Sequence, residues 1–149
     1  MKLVIQRVLS SQVWVEEKLI AEIGKGLLVL LGITHSDTLD DVNYLTKKLL
    51  NLRIFEDNQG KMNLSVLDIQ GEIMVVSQFT LYGDTQKGNR PSFIQAAKPE
   101  IAIPLYEEFL KKLKENCILK IQNGIFGADM KVHLINDGPV TILMDSKDK

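Results

Sequence analysis

Two short segments of this 149-residue chain have residue types and spacing that could do chemistry. The first is Gly138-Pro139, which lies between β-type runs at 131–135 and 140–144. Proline has no backbone N–H and a fixed φ, and glycine can adopt φ values that are closed to other residues. The pair can therefore present bare carbonyl oxygens in a rigid arrangement, at the tip of a hairpin or at the break between two strands. A Gly-Pro pair alone, however, is more typical of an ordinary turn.

The second segment is Ser77-Gln78-Phe79-Thr80, which ends the most apolar strand of the second half of the chain, 73–76. Hydroxyls and an amide at the end of a buried strand are costly unless they find partners. They could satisfy the turn that follows. They could also form the floor of a pocket in which backbone N–H groups face a bound carbonyl or oxyanion. The spacing alone leaves both interpretations open.

Side chains for conventional catalysis are scarce. Of the two histidines, His35 lies in a polar loop and His133 alternates with apolar neighbours, which predicts the solvent face of a strand. Neither these nor the single cysteine, Cys117, has metal-ligand spacing, and the chain has no Gly-x-Ser-x-Gly elbow. The sequence therefore predicts no metal and no cofactor, and it disfavours a conventional triad or acid–base hydrolase.

The elements that must position these segments are mostly strands. Residues 2–8 and 12–16 are predicted to be two strands joined by a turn at 9–11, and residues 18–23 a third strand. After a tight Gly24-Lys25-Gly26 turn, residues 27–34 form a nearly continuous apolar run, which indicates a strand buried on both faces.

Two helices are expected, one beginning after Ser36 or Thr38 and the other at Pro99 or Glu100. Further strands are predicted to begin at 54–55, to run over 72–79 and 120–127, and to occur as a pair within 130–145. The strands mostly run in hairpins. This pattern predicts an α/β fold with a mostly antiparallel, β-barrel-like body and two flanking helices, in a single domain over residues 1–149.

Composition is that of an ordinary globular protein, with 45% apolar and 25% charged residues and a net charge of −1. The basic surplus of a typical nucleic-acid-binding protein is missing. Lys87 and Arg90, in a polar loop, are better candidates for phosphate contacts than Lys47 and Lys48, for which a solvated helix face is expected. One cysteine and no signal peptide predict the reducing cytoplasm, and the longest apolar run is too short to span a membrane.

Over essentially its whole length the chain resembles the D-aminoacyl-tRNA deacylase family. The most specific motifs are residues 77–81 and the Gly138-Pro139 segment at this separation. The supporting segments are Ile5-Gln6-Arg7-Val8, 26–32, Arg53-Ile54-Phe55, 60–64, Arg90-Pro91-Ser92-Phe93, 126–130 and 136–141. The fold implied by the resemblance is a small β-barrel with flanking helices, which agrees with the pattern of elements above.

The resemblance also implies a homodimer with its pocket at the subunit interface. In this family the Gly-Pro bond is a cis peptide that is inserted into the active site of the opposite subunit. The implied catalytic residues are Ser77, Gln78, Phe79 and Thr80, and the implied residues for substrate binding and chiral rejection are Gly138, Pro139, Leu81, Ala102, Phe126 and Met130. Arg7 is implied to steady the inserted segment.

The implied reaction is hydrolysis of the ester between a D-amino acid, or glycine mischarged on tRNA-Ala, and the terminal ribose of tRNA. That ester is activated by the neighbouring ammonium and ribose hydroxyl, so positioning and electrostatic stabilisation could suffice without a side-chain base. Gly138-Pro139 would hold the α-ammonium, and an L-side chain would clash with backbone. The Thr80-type hydroxyl has been discussed as a nucleophile in the family. Thr80 has no activating base nearby in the sequence, which favours substrate-assisted attack by water.

An alternative class stays open at this point. Members of the family have been linked to replication-origin DNA, so the pocket could serve a non-enzymatic module that binds a nucleotide of RNA or DNA. The near-neutral charge argues against duplex binding as the main task.

Overall fold

The computed structural model of the protein describes residues 1–148, which form eight strands and two α-helices. The strands are β1 (Lys2–Val15), β2 (Lys18–Ile23), β3 (Gly26–Gly32), β4 (Phe55–Glu56), β5 (Met62–Leu64), β6 (Glu72–Ser77), β7 (Ile121–Asn123) and β8 (Lys131–Asp145). The helices are α1 (Leu39–Leu50) and α2 (Pro99–Asn116), and a 3-10 turn covers Phe79–Tyr82.

The predicted turn at residues 9–11 is wrong, because β1 is one continuous strand of 14 residues. Along one edge β1 pairs first with β3, over residues 2–8, and then with β2, over residues 11–15. Its other edge pairs with β8 almost throughout. Ser11 stays in the strand because its hydroxyl donates to the His133 carbonyl at 3.0 Å. The polar residues that suggested a turn mark the place where one strand changes its partner.

In the last strand, too, a predicted turn lies inside a continuous strand. Residues 131–145 form the single strand β8, so the hairpin tip predicted as one possibility for Gly138-Pro139 is wrong. The strand pairing is nevertheless interrupted there. Asn136 pairs with Val8 and Thr141 pairs with Gln6, so residues 137–140 of β8 stand opposite Arg7 alone. This wide bulge displaces Gly138 and Pro139 from the ladder.

The main sheet has the order β2-β1-β3-β6-β7, with β8 on the free edge of β1. The pairs that involve β1 are antiparallel, whereas β3 and β6, and β6 and β7, are parallel. Parallel neighbours need a crossover connection, and α1 and α2 lie in the two crossovers. A nearly closed, barrel-like sheet with two helices confirms the predicted fold class, and the parallel pairs place the ends of β3 and β6 side by side.

Both helices begin where the sequence predicts. Thr38 caps α1 with a capping box, in which its N–H donates to the Asp41 carboxylate at 2.8 Å, and Pro99 occupies the first turn of α2. Within the described part of the chain, neither helix is long and apolar enough to cross a membrane.

Strand β3 is buried on both faces, as its apolar run predicts. On one face Leu27, Val29 and Leu31 join the main core, which includes the apolar sides of α1 and α2. On the other face Leu28 joins a second cluster with residues of β1, β2 and β6. Since the strand that ends beside the candidate site is packed on both sides, the main chain at its end is held in a fixed position.

A partly buried ionic cluster joins the two ends of the described chain to the start of α1. The Met1 ammonium contacts Asp37 at 2.5 Å and Ser146 Oγ at 2.9 Å, and the Lys147 ammonium contacts Asp41 at 3.0 Å. Burial alone would raise the pKa of Asp41, but hydrogen bonds from Ser146, Thr38 and Lys147 lower that pKa far below its usual range. The folded state therefore favours ionised Asp41.

Asp41 should make the free energy of unfolding depend on pH in the acid range. Its contribution is complete above the unfolded-state pKa of about 4 and is lost as the pH falls below that value toward the lowered folded-state pKa. Asp41→Asn should be less stable at neutral pH and should show a shallower decline of unfolding free energy below about pH 4. Urea unfolding at several pH values measures this decline, with the exposed Asp40→Asn as the matched control. A decline as steep as that of the wild type would contradict the assignment.

Candidate active site

A cavity of about 270 Å³ opens beyond the ends of the parallel strands β3 and β6. The last paired residues of these strands are Leu31 and Ser77, and the Gln78 N–H then donates to the Leu31 carbonyl at 2.8 Å. Crevices beyond the carboxyl ends of parallel strands are common ligand sites. Six of the predicted site residues line this cavity: Ser77, Gln78, Phe79, Ala102, Phe126 and Met130. The structure thus brings together residues that are as much as 53 positions apart in the sequence.

The floor of the cavity is main chain that turns sharply after β6. The Gln78 and Thr80 carbonyls accept hydrogen bonds from Leu81 and Gly83 in the 3-10 turn, at 3.2 and 2.9 Å. The N–H groups of Phe79 and Thr80 stand at the start of this turn, where no earlier carbonyl of the turn can reach them. The turn is satisfied by carbonyls of the segment, and of these two N–H groups the one that belongs to a cavity-lining residue is that of Phe79.

Thr80 is exposed and does not line the cavity. Its hydroxyl accepts a short hydrogen bond from the Gln78 amide. Among residues 1–148, no imidazole or carboxylate is hydrogen-bonded to this hydroxyl. Leu81 also lies away from the cavity, against Gly32 and beside a separate depression that includes Leu143.

Tyr106, a residue of α2 for which the sequence predicts no role, supports one wall of the cavity through Phe126. Its ring contacts Phe126 edge-on, with centroids 5.6 Å apart. Its hydroxyl donates to the Val75 carbonyl in β6 at 3.2 Å. Burial raises the pKa of Tyr106 to about 12, although a hydrogen bond with Asn123 opposes the shift, so the hydroxyl stays neutral at physiological pH. Tyr106 therefore fixes α2, β6 and Phe126 relative to one another.

The mouth of the cavity is apolar and open. Phe79 is 58% exposed and contacts Phe93 edge-on, with ring centroids 5.2 Å apart. Ile94, the next residue, is 85% exposed. Exposed apolar side chains beside a cavity, such as Phe79 with its partner Phe93, are typical of a surface that another molecule covers.

Asp129 is the one acid that lines the cavity within the described residues, and its carboxylate pairs with Lys131 at 2.9 Å. His133 lies on the exposed face of β8, as predicted. Across residues 1–148, no three His, Cys, Asp or Glu side chains are grouped so that they could hold a metal ion. The polar residues among those that line the cavity are Ser77, Gln78 and the ion-paired Asp129.

Gly138 and Pro139 are exposed, their peptide bond is cis, and they do not line the cavity of their own chain. Gly138 has a φ of 138°, which favours glycine. A Cβ atom at Gly138 would lie 2.7 Å from Val140 Cγ2 and 3.1 Å from Arg7 Nη2. Any other residue here would have to displace its neighbours, so the shape of this segment depends on glycine.

Two side chains brace the segment from behind. Arg7 is buried, and it donates from Nε to the Asp137 carbonyl at 2.9 Å and from Nη1 to the Ile54 carbonyl at 2.7 Å. The Asn136 amide oxygen accepts a hydrogen bond from the Val140 N–H at 2.8 Å. Asn136 was not predicted to have a role, although its place directly before Asp-Gly-Pro is a signal for a side chain that bonds back to a turn. The result is a rigid, outward segment with no ladder partner on β1.

Solved structures define the class of fold. A structure named c-Myc DNA Unwinding Element Binding Protein matches with a TM-score of 0.93 and 46% identity, covering 97% of this chain and 98% of that chain. A second structure, described as a probable eukaryotic D-amino acid tRNA deacylase, has a TM-score of 0.81 and covers 96% of this chain and 97% of that chain. At 17% identity the second likeness shows the fold alone.

Sequence comparison identifies the family. The family model described as D-Tyr-tRNA(Tyr) deacylase matches residues 4–145. A D-aminoacyl-tRNA deacylase of Flavobacterium psychrophilum is 62% identical over 149 residues, which cover 100% of this chain and 99% of the relative. The chain therefore belongs to the D-Tyr-tRNA(Tyr) deacylase family, and the resemblance identified from its motifs is confirmed.

Proposed function

We propose that this protein, acting as one domain over residues 1–149, is a D-aminoacyl-tRNA deacylase of the cytoplasm. It hydrolyses the ester between a D-amino acid and the terminal ribose of tRNA, releasing the free amino acid and tRNA, and it also removes glycine mischarged on tRNA-Ala. The observation that carries the proposal is the cavity beyond β3 and β6, which is lined by the residue that carries the Phe79 backbone N–H and whose one carboxylate, that of Asp129, is paired with Lys131. Family membership over residues 4–145 supports the substrate class.

The cavity suits an ester that needs little activation. The Phe79 N–H would bind the carbonyl oxygen and stabilise the oxyanion that forms on it. Water attacks the carbonyl carbon and the carbon–oxygen bond to the ribose breaks. The water proton passes, with help from the adjacent ribose hydroxyl, to the departing ribose oxygen. The ring of Phe126, held by Tyr106, offers a stacking surface for the terminal adenine.

Thr80→Ala should therefore keep substantial deacylase activity. Its hydroxyl is bonded to the Gln78 amide, and a main-chain N–H supplies the proposed oxyanion contact. We expect kcat/KM on D-aminoacyl-tRNA to fall by less than about tenfold, whereas removal of a true nucleophile costs roughly 10⁴-fold or more. Steady-state kinetics of the variant measures the difference. A loss near the larger figure would make the Thr80 hydroxyl the nucleophile.

The rest of the site is proposed to come from a second copy of the chain. Gly138 and Pro139 are braced, exposed and absent from the cavity of their own chain, whereas the mouth of that cavity is apolar and uncovered. In a symmetric dimer each subunit would place its Gly138-Pro139 segment in the cavity of the other, where the carbonyls accept hydrogen bonds from the substrate ammonium. An L-side chain would then meet main chain, while a D-side chain would point to solvent.

Mixing two inactive variants tests this crossed arrangement. Gly138→Ala damages the inserted segment, and Ala102→Phe fills the cavity that receives it. After the two are unfolded and refolded together, half of the dimers should be mixed, and each should carry one intact site. We expect roughly a quarter of wild-type activity to return. If each site were built from a single chain, mixing would restore nothing, and sedimentation would show a monomer of 16.8 kDa if no dimer forms.

Lys87 and Arg90 are proposed to contact phosphates close to the scissile ester. Their loop is closed by paired hydrogen bonds between Asp84 and Ser92, both 2.8 Å. The residue after Ser92 is Phe93, which contacts Phe79 at the cavity mouth. The two cations therefore lie on a loop whose base adjoins the place where the tRNA end would enter.

A second candidate function is association with DNA, which the name of the similar solved structure favours. The net charge of −1 speaks against it as the main task. Titration of tRNA and of duplex DNA at about 150 mM salt, beside the deacylation assay, separates the two functions. Tight DNA binding without deacylation would favour the second candidate.

A further inference from the structure

A second concave surface lies at the end of α1, away from the cavity described above. It encloses about 600 Å³, and its lining includes Tyr44, Lys47, Lys48, Asn51, Arg53 and Met144, a set that we call the basic groove. Each charged residue that lines it is a cation. Among residues 1–148, no carboxylate lies within 4.0 Å of the charged nitrogens of Lys47, Lys48 or Arg53. The lysines of α2 differ, since Lys111 and Lys112 pair with Glu108 and Glu115.

The cations of the basic groove are held in place by contacts that leave their charge available. Arg53 donates from Nε to the Asn63 carbonyl at 2.8 Å, which leaves the donors of its two terminal nitrogens for a ligand. The Lys48 ammonium lies 5.8 Å from the centre of the Tyr44 ring. The acid that Arg53 influences is Asp68, whose carboxylate is already hydrogen-bonded to Ser65 at 2.7 and 2.8 Å. These cations therefore form a local positive surface on a nearly neutral protein.

The basic groove is linked to the Gly138-Pro139 segment by hydrogen bonds of Arg7 and by the pairing of β1 with β8. Arg53 precedes Ile54, whose carbonyl is bound by the same Arg7 guanidinium that holds Asp137. Met144, at the other side of the groove, pairs with Leu3 of β1. Leu3 and Arg7 are four residues apart on that strand, which corresponds to about 13 Å. The basic groove and the Gly138-Pro139 segment therefore share contacts with the same strand, β1.

We propose that the basic groove binds the sugar-phosphate backbone of the tRNA from which the amino acid is removed. The inference rests on the proposed function and on the crossed dimer. Grouped lysine and arginine without acidic neighbours suit phosphates, which such contacts position without reading sequence. The subunit that inserts Gly138-Pro139 into its partner's cavity carries its own groove, which is linked to that segment through Arg7 and Ile54. The tRNA that leaves the partner's cavity passes over this groove. The partner's cavity then binds the aminoacyl ester, and the basic groove of the other subunit binds the tRNA backbone that follows it.

The test compares Lys47→Gln/Lys48→Gln with Lys111→Gln/Lys114→Gln, which removes the same charge from exposed positions of α2. Each protein is assayed on D-aminoacyl-tRNA, on the same D-amino acid esterified to adenosine, and for binding of uncharged tRNA between 50 and 200 mM salt. For the groove variant we expect KM on D-aminoacyl-tRNA to rise about tenfold with kcat unchanged. The salt slope of tRNA binding should fall by about 2. Hydrolysis of the adenosine ester should be unchanged, and the control should match the wild type throughout.

Three results would overturn the proposal: an unchanged KM and salt slope for tRNA, an equal loss on the adenosine ester, or tighter binding of duplex DNA than of tRNA. Failure of the proposed function looks different. A wild-type protein that cleaved neither ester but bound tRNA through Lys47 and Lys48 would refute deacylation and would support the groove.

Discussion

Gly138→Ala is expected to lower kcat/KM on D-aminoacyl-tRNA by about 100-fold or more while the protein stays folded. The added Cβ would lie 2.7 Å from Val140 Cγ2 and 3.1 Å from Arg7 Nη2, at a φ that alanine rarely adopts. Val140 is buried and Arg7 is fixed by two carbonyls, so the Gly138-Pro139 segment itself has to move. A displacement near 1 Å in a positioning group is enough for a loss of this size.

The matched control is Gly60→Ala, in the turn between Asp57 and Lys61. Gly60 also has a positive φ, 73°, but a Cβ there meets nothing within 4 Å. This variant should lose about 1 kcal/mol of stability and keep its activity. Comparison of melting temperatures with deacylation rates separates strain from a functional effect. Full activity in a folded Gly138→Ala protein would remove Gly138-Pro139 from the site.

Phe79→Ala and Met130→Ala are expected to lower activity on D-substrates by roughly 10- to 100-fold without admitting L-substrates. Both side chains line the cavity, and Phe79 also packs on Phe93 at its mouth. Trimming either side chain weakens the hold on the substrate and enlarges the cavity. The proposed obstacle to an L-side chain is the main chain of the inserted segment. The space freed by removing Phe79 or Met130 lies elsewhere in the cavity, so it does not admit the L-substrate.

The measurement is the ratio of deacylation rates for D- and L-aminoacyl-tRNA carrying the same amino acid, for each variant and the wild type. The exposed Leu39→Ala, outside the cavity lining, controls for a general effect of removing an apolar side chain. An Ala variant at Phe79 or Met130 that cleaved L-substrate nearly as fast as D-substrate would make side chains the chiral filter.

Local pattern was sufficient for most of the fold. The starts of α1 and α2 and the doubly buried β3 follow from residue type and pattern, and the structure has all three. The errors fall at Ser10-Ser11 and at Gly138-Pro139, where polar or turn residues lie inside long strands. A strand that changes partner, or bulges opposite a single residue, depends on pairing with distant segments that local sequence does not contain.

In the candidate site, too, some residues could be predicted from local sequence and others could not. The end of β6 was recognisable because polar residues follow a buried strand. Ala102, Phe126 and Met130 came from family resemblance, since their convergence on Ser77 depends on how two parallel crossovers pack. Tyr106 was missed because a tyrosine on an apolar helix face shows its hydroxyl contact only in three dimensions.

The central claim is that this protein hydrolyses D-aminoacyl-tRNA and spares the L-form. Its most direct test is one time course of wild-type protein, at catalytic concentration, on tRNA charged with D-tyrosine or L-tyrosine, without added metal. The account predicts multiple turnovers on the D-ester and a rate on the L-ester that matches spontaneous hydrolysis. Equal hydrolysis of both esters, or of neither, would contradict it.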